Sequence, residues 1–200
     1  MILMMTFSRM TCSKTRDGAA RPQSSPGRDA RGARGKPAYT VGVVSDTHGK
    51  LCPEVRRLLT GVDHILHAGD IGSAAVLSEL GAVAGVTAVR GNCDYEAWAL
   101  SLPVTAEIEL AGVRFVLTHM VRSEGDFSRK PSTELVPQVV VSGHTHLAAL
   151  EWRDEVLYLN PGSAGPRRFG RPRTIALVWV FDSLGGPTNR VRAEILAVPD

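Results

Sequence analysis

The chain has 200 residues, of which 44% are hydrophobic and 22% charged, an ordinary globular composition with enough apolar material for one domain and a core. Its net charge of +3 is uneven: eight Lys and Arg against two Asp give residues 1–38 a charge of +6, which leaves −3 for the rest. That speaks against a nucleic-acid partner for the domain, while three cysteines without paired spacing, Cys12, Cys52 and Cys93, speak against a disulfide framework and for a reducing, cytoplasmic setting.

Residues 1–38 hold Arg-Pro, Ser-Pro-Gly, Arg-Gly-Ala-Arg-Gly and Lys-Pro without hydrophobic periodicity, and cannot bury enough surface to offset ordering entropy. They are expected to form a disordered basic tail before a domain at 39–200. The tail reads as a solvated extension or as translation from an upstream start, Met5 and Met10 being alternatives; an organelle transit peptide or a tether to an acidic surface is the less economical reading. Met1 to Met5 lack the flanks of a signal peptide, and no apolar run approaches the roughly 18 residues that span a bilayer, so no membrane partner is expected.

From Tyr39 the pattern runs strand, helix, strand, helix, strand, the beginning of a doubly wound α/β sheet with right-handed crossovers. Val41 to Val44 reads as a buried parallel strand that opens into Ser45-Asp46-Thr47-His48-Gly49. Pro53 suits a first helical turn, with Val55, Leu58 and Leu59 as its buried stripe. The second strand, His64 to His67, ends in Ala68-Gly69-Asp70. A second helix spans Ser73 to Leu80 with Val76, Leu77 and Leu80 inward, and the third strand, Val86 to Val89, ends in Arg90-Gly91-Asn92-Cys93-Asp94. Thr105 to Leu110 and Val113 to Thr118 flank Ala111-Gly112 as a hairpin that ends in His119. Residues 121–137 read as a polar connection or a cover beside the site. Val139 to Val141 is a buried strand ending in Ser142-Gly143-His144-Thr145-His146. Strands at Leu147 to Trp152, Val156 to Leu159, Arg173 to Phe181 and Arg190 to Val198 complete the chain, the last two joined by a turn at Gly185-Gly186-Pro187.

In open α/β sheets ligands sit beyond the carboxyl ends of the strands, and here those ends carry Asp46, His48, Asp70, Asn92, His119, His144 and His146. Two carboxylates, one amide and four imidazoles form a donor set suited to Mn, Fe, Zn, Ni or Co more than to Ca or Mg, with manganese placed first. Two such ions about 3.5–4 Å apart would share a carboxylate, make hydroxide available near neutral pH and clamp a phosphoryl group.

Asp-x-His, Gly-Asp, Gly-Asn-x-Asp, a lone Thr-His and Gly-His-x-His, in that order, resemble the calcineurin-like metallophosphoesterases. Asp46-Thr47-His48-Gly49, His67-Ala68-Gly69-Asp70, Gly91-Asn92-Cys93-Asp94 and Asn160-Pro161-Gly162-Ser163 resemble the YfcE-like phosphodiesterase branch, over about residues 39–182. The resemblance implies two packed mixed β-sheets flanked by helices. It implies one metal on Asp46, His48, Asp70 and His146 and another on Asp70, Asn92, His119 and His144, with Asp70 bridging. It also implies hydrolysis of a small phosphodiester by in-line attack of a metal-bridging hydroxide. Asp70, Asn92, Asp94 and His119 are expected to carry the chemistry, Asp94 by orienting a neighbour. Many members of the superfamily have His where this chain has Cys93, as the YfcE-like branch does, and a thiol is a poor proton donor to a leaving group.

A different class of function on the same fold is a non-catalytic, Vps29-like protein-binding scaffold, which need not keep all seven ligands. A nuclease would need a basic face or a DNA-binding appendage, and neither is visible. His67 is expected to be a satisfied core imidazole, His64 more exposed, Cys52 structural, and Trp152 and Trp179 packed. Arg167, Arg168 and Arg171 read as a solvated loop or as phosphate contacts. Homo-oligomer formation is left open.

Overall fold

The structure, a computed structural model, describes residues 36–121, 139–167, 170–182 and 190–199. The expected tail apart from its last three residues, the connection after Val121, the turn at 185–187 and Arg168 lie outside the described residues.

Alternating apolar residues build two five-stranded sheets from the described residues. The first has the order β10-β9-β1-β2-β3. Strands β1 (Tyr39–Val44), β2 (His64–His67) and β3 (Gly85–Ala88) run parallel, while β9 (Thr174–Val180) and β10 (Val191–Ala197) join antiparallel beside β1. The second has the order β4-β5-β6-β8-β7. Its centre, β5 (Val113–Thr118), β6 (Val139–Val141) and β8 (Val156–Asn160), is parallel, and β4 (Thr105–Leu110) and β7 (Ala149–Arg153) are antiparallel edges.

The side-chain period of two in a strand separates two cores. Val41, Val43, Leu66 and Val178 meet Phe115, Leu117, Val141 and Leu159 between the sheets. Val44, Ile65 and Ile175 face the other way, onto Val55 and Leu59 at helix α1 (Pro53–Leu58) and Val76 and Leu80 of helix α2 (Ala74–Gly81). Gly42 lets the end of α1 approach β1, since a Cβ there would sit 2.4 Å from Leu59 Cδ2.

Three expectations need correction. The sheet is not doubly wound: β1, β2 and β3 step in one direction only, and the other side of β1 is filled by the antiparallel hairpin β9–β10. The second sheet then covers the face where further crossover helices would lie. Leu58 and Leu77 pack against the helix-side core but are only half-buried at its edge; in α1, six residues long, the second fully buried position falls on Leu59, beyond the last turn. Trp152 is not packed: it lies on the edge strand β7, whose residues are all exposed, and is itself 45% accessible. Trp179 is half-buried beneath the Arg192 guanidinium, 5.4 Å from its ring centre.

Candidate metal centre

The parallel strands of both sheets deliver their carboxyl ends to one rim. Backbone bonds lock the loops there to one another: Asp46 N–H donates to the Gly69 carbonyl (3.0 Å), His48 N–H to Asp70 (3.0 Å), Gly143 N–H to His119 (3.1 Å) and Ala164 N–H to Ser45 (2.9 Å). Side chains continue the stitching. Asp94, expected to orient a neighbour, is buried and spends both carboxylate oxygens on the amides of Ile71 (3.0 Å), Gly72 (2.8 Å) and Gly91 (2.8 Å), which ties the end of β2 to the end of β3.

Bending the chain to bring these ends together requires an unusual backbone. Eight non-glycine residues among those described have positive φ, and five of them are Asp46 (56°), His48 (47°), Asp70 (51°), His144 (68°) and His146 (56°). Each such residue costs on the order of 1–3 kcal/mol and persists only where its surroundings hold it. The other three, Ala111, Asp154 and Glu155, occupy tight hairpin turns, where positive φ is the norm.

The side chains so presented form two adjoining groups. In one, His146 Nε2 lies 3.0 Å from Asp46 Oδ1 and 3.4 Å from His48 Nε2, with His48 Nε2 4.0 Å from the same oxygen. In the other, His119 Nε2 lies 3.3 Å from Asp70 Oδ1 and 3.1 Å from Asn92 Oδ1. Asp46, Asp70 and His119 also present ligand atoms within 4.8 Å of one another, as do His48, Asp70 and Cys93. The His144 ring stands edge-on to His119 at 5.3 Å, and its backbone N–H donates to Asp46 Oδ2 (3.1 Å). All seven predicted ligands therefore occupy one rim, with the His144 ring the most exposed of the imidazoles.

The lone pairs are what fit this set to cations. His119 Nδ1–H donates to the Ala68 carbonyl (2.8 Å), which leaves the Nε2 lone pair facing two acceptor oxygens, an arrangement that is repulsive unless a proton or a cation lies between them. Asp46 Oδ1 is fully buried and accepts no hydrogen bond among the described residues. A buried carboxylate oxygen without a donor is costly, and ligands about 2.1 Å from a shared ion would have the 3–4 Å separations seen here. Electrostatics agree. Burial would raise the Asp70 carboxyl, but hydrogen bonds from His119 and the Cys93 N–H (2.8 Å) outweigh it and hold the group well below the usual carboxylate range. Burial would lower His119, and its bonds to Asp70 and the Ala68 carbonyl reverse that and raise it.

Several positioning residues carry no chemistry that a sequence reading could pick out. Ser45 Oγ donates to Asp46 Oδ2 (2.6 Å). Asn160 Nδ2 donates to the Gly143 carbonyl (2.8 Å) and Thr145 Oγ1 (3.1 Å) and so holds the loop of His144 and His146. Ser163 Oγ donates to the Asp46 carbonyl (3.0 Å). The signal for Asn160 and Ser163 was the Asn160-Pro161-Gly162-Ser163 run, visible as a motif but without a role. His67 is the buried imidazole expected. Gly69 N–H donates to its Nδ1 (3.2 Å), so Nε2–H donates to Thr47 Oγ1 (2.9 Å), whose hydroxyl donates to the Ile71 carbonyl (2.9 Å). Burial pushes its pKa down to about 4. His64 is half-buried against Thr87. Cys52 stands at the N-cap position of α1 without a side-chain cap bond, and Cys93 is exposed; neither is in a disulfide.

The calcineurin-like phosphoesterase superfamily domain matches residues 40–183. A probable metallophosphoesterase of Methanothermobacter thermautotrophicus is 34% identical over 145 residues, 68% of this chain and 84% of the relative. The phosphodiesterase YfcE of Escherichia coli is 32% identical over 160 residues, 67% of this chain and 84% of its own. Among solved structures, an archaeal phosphodiesterase superposes with a TM-score of 0.60 at 27% identity, over 78% of this chain and 99% of that one. A zinc complex of Vps29 from Entamoeba histolytica superposes at 0.59 with 22% identity, over 80% and 99%, a likeness of fold.

Proposed function

This chain belongs to the calcineurin-like phosphoesterase superfamily, and from that premise we propose that it is a two-metal phosphodiesterase that hydrolyses small phosphodiesters by in-line attack of hydroxide. Metal-dependent phosphoester hydrolysis comes with the family. The two-ion arrangement is supported above all by one observation: acceptor atoms of Asp46, Asp70, Asn92, His119 and His146 converge on one rim, where the buried Asp46 Oδ1 accepts no hydrogen bond among the described residues.

Asp46, His48 and His146 would hold one ion and Asn92, His119 and His144 the other, with Asp70 reaching both. When bound, the ions would neutralise phosphoryl oxygens and make water acidic enough to supply hydroxide near neutral pH. The chain's own residues prepare that site. Ser45 Oγ and the His144 N–H engage one oxygen of Asp46 and leave Oδ1 for the ion. The Ala68 carbonyl takes the His119 Nδ1 proton and aims Nε2 inward, the outer contact that fixes the tautomer of a ligating imidazole. Asp94 keeps the Asp70 and Asn92 loops in register. Manganese in a cytoplasmic setting suits the mixed nitrogen and oxygen donors and cysteines outside any disulfide.

Turnover of bis(p-nitrophenyl) phosphate with added manganese tests this reading, with Asp70→Asn expected to abolish it. Inactivity across several divalent ions, with Asp70→Asn indistinguishable from wild type, would remove it. The likeness to Vps29 supports a second reading, a protein-binding scaffold; it expects less than about one bound ion per chain, since a retained two-metal site binds strongly.

A further inference from the structure

The two-metal chemistry leaves one buried imidazole without a task. His67 and Thr47 are both fully buried, and together they form a one-way chain of hydrogen bonds. Gly69 N–H donates to His67 Nδ1 (3.2 Å), which leaves the proton of the neutral imidazole on Nε2. That proton goes to Thr47 Oγ1 (2.9 Å), and the Thr47 hydroxyl proton goes to the Ile71 carbonyl (2.9 Å). The chain therefore starts on the residue before Asp70, ends on the residue after it, and passes through the residue between Asp46 and His48. All four of its members are buried. The backbone on both sides needs such a hold, because Asp46, His48 and Asp70 all have positive φ, a conformation that persists only where neighbours enforce it. The Asp46 loop is backed from another side by Gly165, where a Cβ would sit 2.4 Å from the Asp46 carbonyl oxygen and 2.5 Å from that of Thr47. Asn92 and His119 are held by other contacts, through Asp94 at Gly91 and through the Ala68 carbonyl.

We propose that Thr47 and His67 are positioning residues for one of the two ions, the one assigned to Asp46, His48 and His146. Their hydrogen-bond chain sets the separation between the loop of Asp46 and His48 and the shared Asp70, and the ion assigned to Asn92, His119 and His144 does not depend on it. The inference rests on the two-metal reading and divides that centre into a dependent half and an independent one.

Calorimetric titration of the metal-free full chain with manganese tests it, since ion binding is read there without turnover. Thr47→Val keeps the shape of the side chain and removes the hydroxyl, while Thr47→Ser keeps the hydroxyl. An Asn92→Ala background isolates the dependent ion and a His48→Ala background the other. In the Asn92→Ala background Thr47→Val is expected to weaken the remaining ion at least about tenfold, the scale of a lost outer contact to a metal ligand, and Thr47→Ser to stay within about threefold of the parent. In the His48→Ala background Thr47→Val is expected to change the affinity by less than about threefold. If Thr47→Val does not fold, Thr47→Ala, which also lacks the hydroxyl, is read in the same way. Equal weakening of both ions would make the pair a general brace of the fold and overturn the proposal. Unchanged affinity in the Asn92→Ala background, or a Thr47→Ser variant as weak as Thr47→Val, would overturn it as well. A wild type that binds less than one ion removes the two-metal reading and this inference with it. Two ions in the wild type, bound as tightly by Thr47→Val, remove this inference alone.

Discussion

His119 Nε2 lies 3.3 Å from Asp70 Oδ1, and each group shifts the other toward its charged form: Asp70 is held low and His119 is raised. A metal that ligates His119 must therefore displace a proton held to a higher pH than an ordinary imidazole holds one. Metal affinity should fall as pH drops through and below the usual histidine range, with proton release on binding. Calorimetric titration with manganese in buffers of different ionisation enthalpy measures that release. Binding with no proton release near pH 6 would contradict the pairing.

His67 sets a second pH dependence, of stability. Its folded pKa is depressed from 6.5 to about 4, so the unfolded chain binds the proton first. The contribution is fully present above pH 6.5 and is lost as pH falls from there toward 4, up to about 3 kcal/mol for a shift of this size. His119 works in the opposite sense over part of that window, because a raised folded pKa favours the fold at low pH. The informative quantity is thus the difference between wild type and His67→Gln. Urea unfolding of the metal-free proteins should show wild type losing more stability than the variant between neutral and acid pH, and parallel losses would refute the assignment.

How far the sequence could be read follows the range of the forces involved. The residues that meet at the rim were legible because each sits where a short apolar run breaks into polar residues, in most cases with glycine, a local signal. The hairpin at Ala111-Gly112 was equally local. What failed was non-local. Nothing near Thr174 says that β9 will pair antiparallel with β1 rather than extend a parallel sheet; that choice depends on the second sheet filling the opposite face. The exposure of Trp152 depends on β7 being an edge, a property of the assembled sheet. Asn160 and Ser163 act through the loops they touch, so their roles appear only when residues far apart in the chain meet.

Gly91 tests how closely the rim is packed. A Cβ there would sit 2.1 Å from Asp70 Oδ1 and 2.3 Å from Asp70 N, so Gly91→Ala must push the strained Asp70 aside. A stability loss of about 1–3 kcal/mol is expected from such overpacking, together with loss of bound metal. A variant with wild-type metal content would show that the rim has more freedom than its contacts imply.

Asn160→Ala removes the donors to Gly143 and Thr145 and the acceptor for the Gly162 N–H (2.9 Å). Leaving buried partners unsatisfied costs about 1–3 kcal/mol, and the loop carrying His144 and His146 should lose its register. Thermal unfolding and metal titration together should show weaker binding; unchanged affinity would leave Asn160 a role in stability alone.

Cys93 is exposed beside the cluster, and a thiol donates a proton poorly to a departing alkoxide. Aryl phosphodiesters, whose leaving groups need no proton, should be turned over better than alkyl ones, and Cys93→Ala should slow aryl esters by well under about a hundredfold, the scale of a lost general acid. A uniform loss beyond that would make the thiol a participant.

The central claim is that these side chains hold a pair of cations, and elemental analysis of the full-length protein after manganese loading and removal of free metal tests it most directly. About two ions per chain are expected in the wild type, falling to one or fewer in Asp70→Asn, because the shared carboxylate serves both sites. Less than one ion per wild-type chain, or no change in Asp70→Asn, would contradict it.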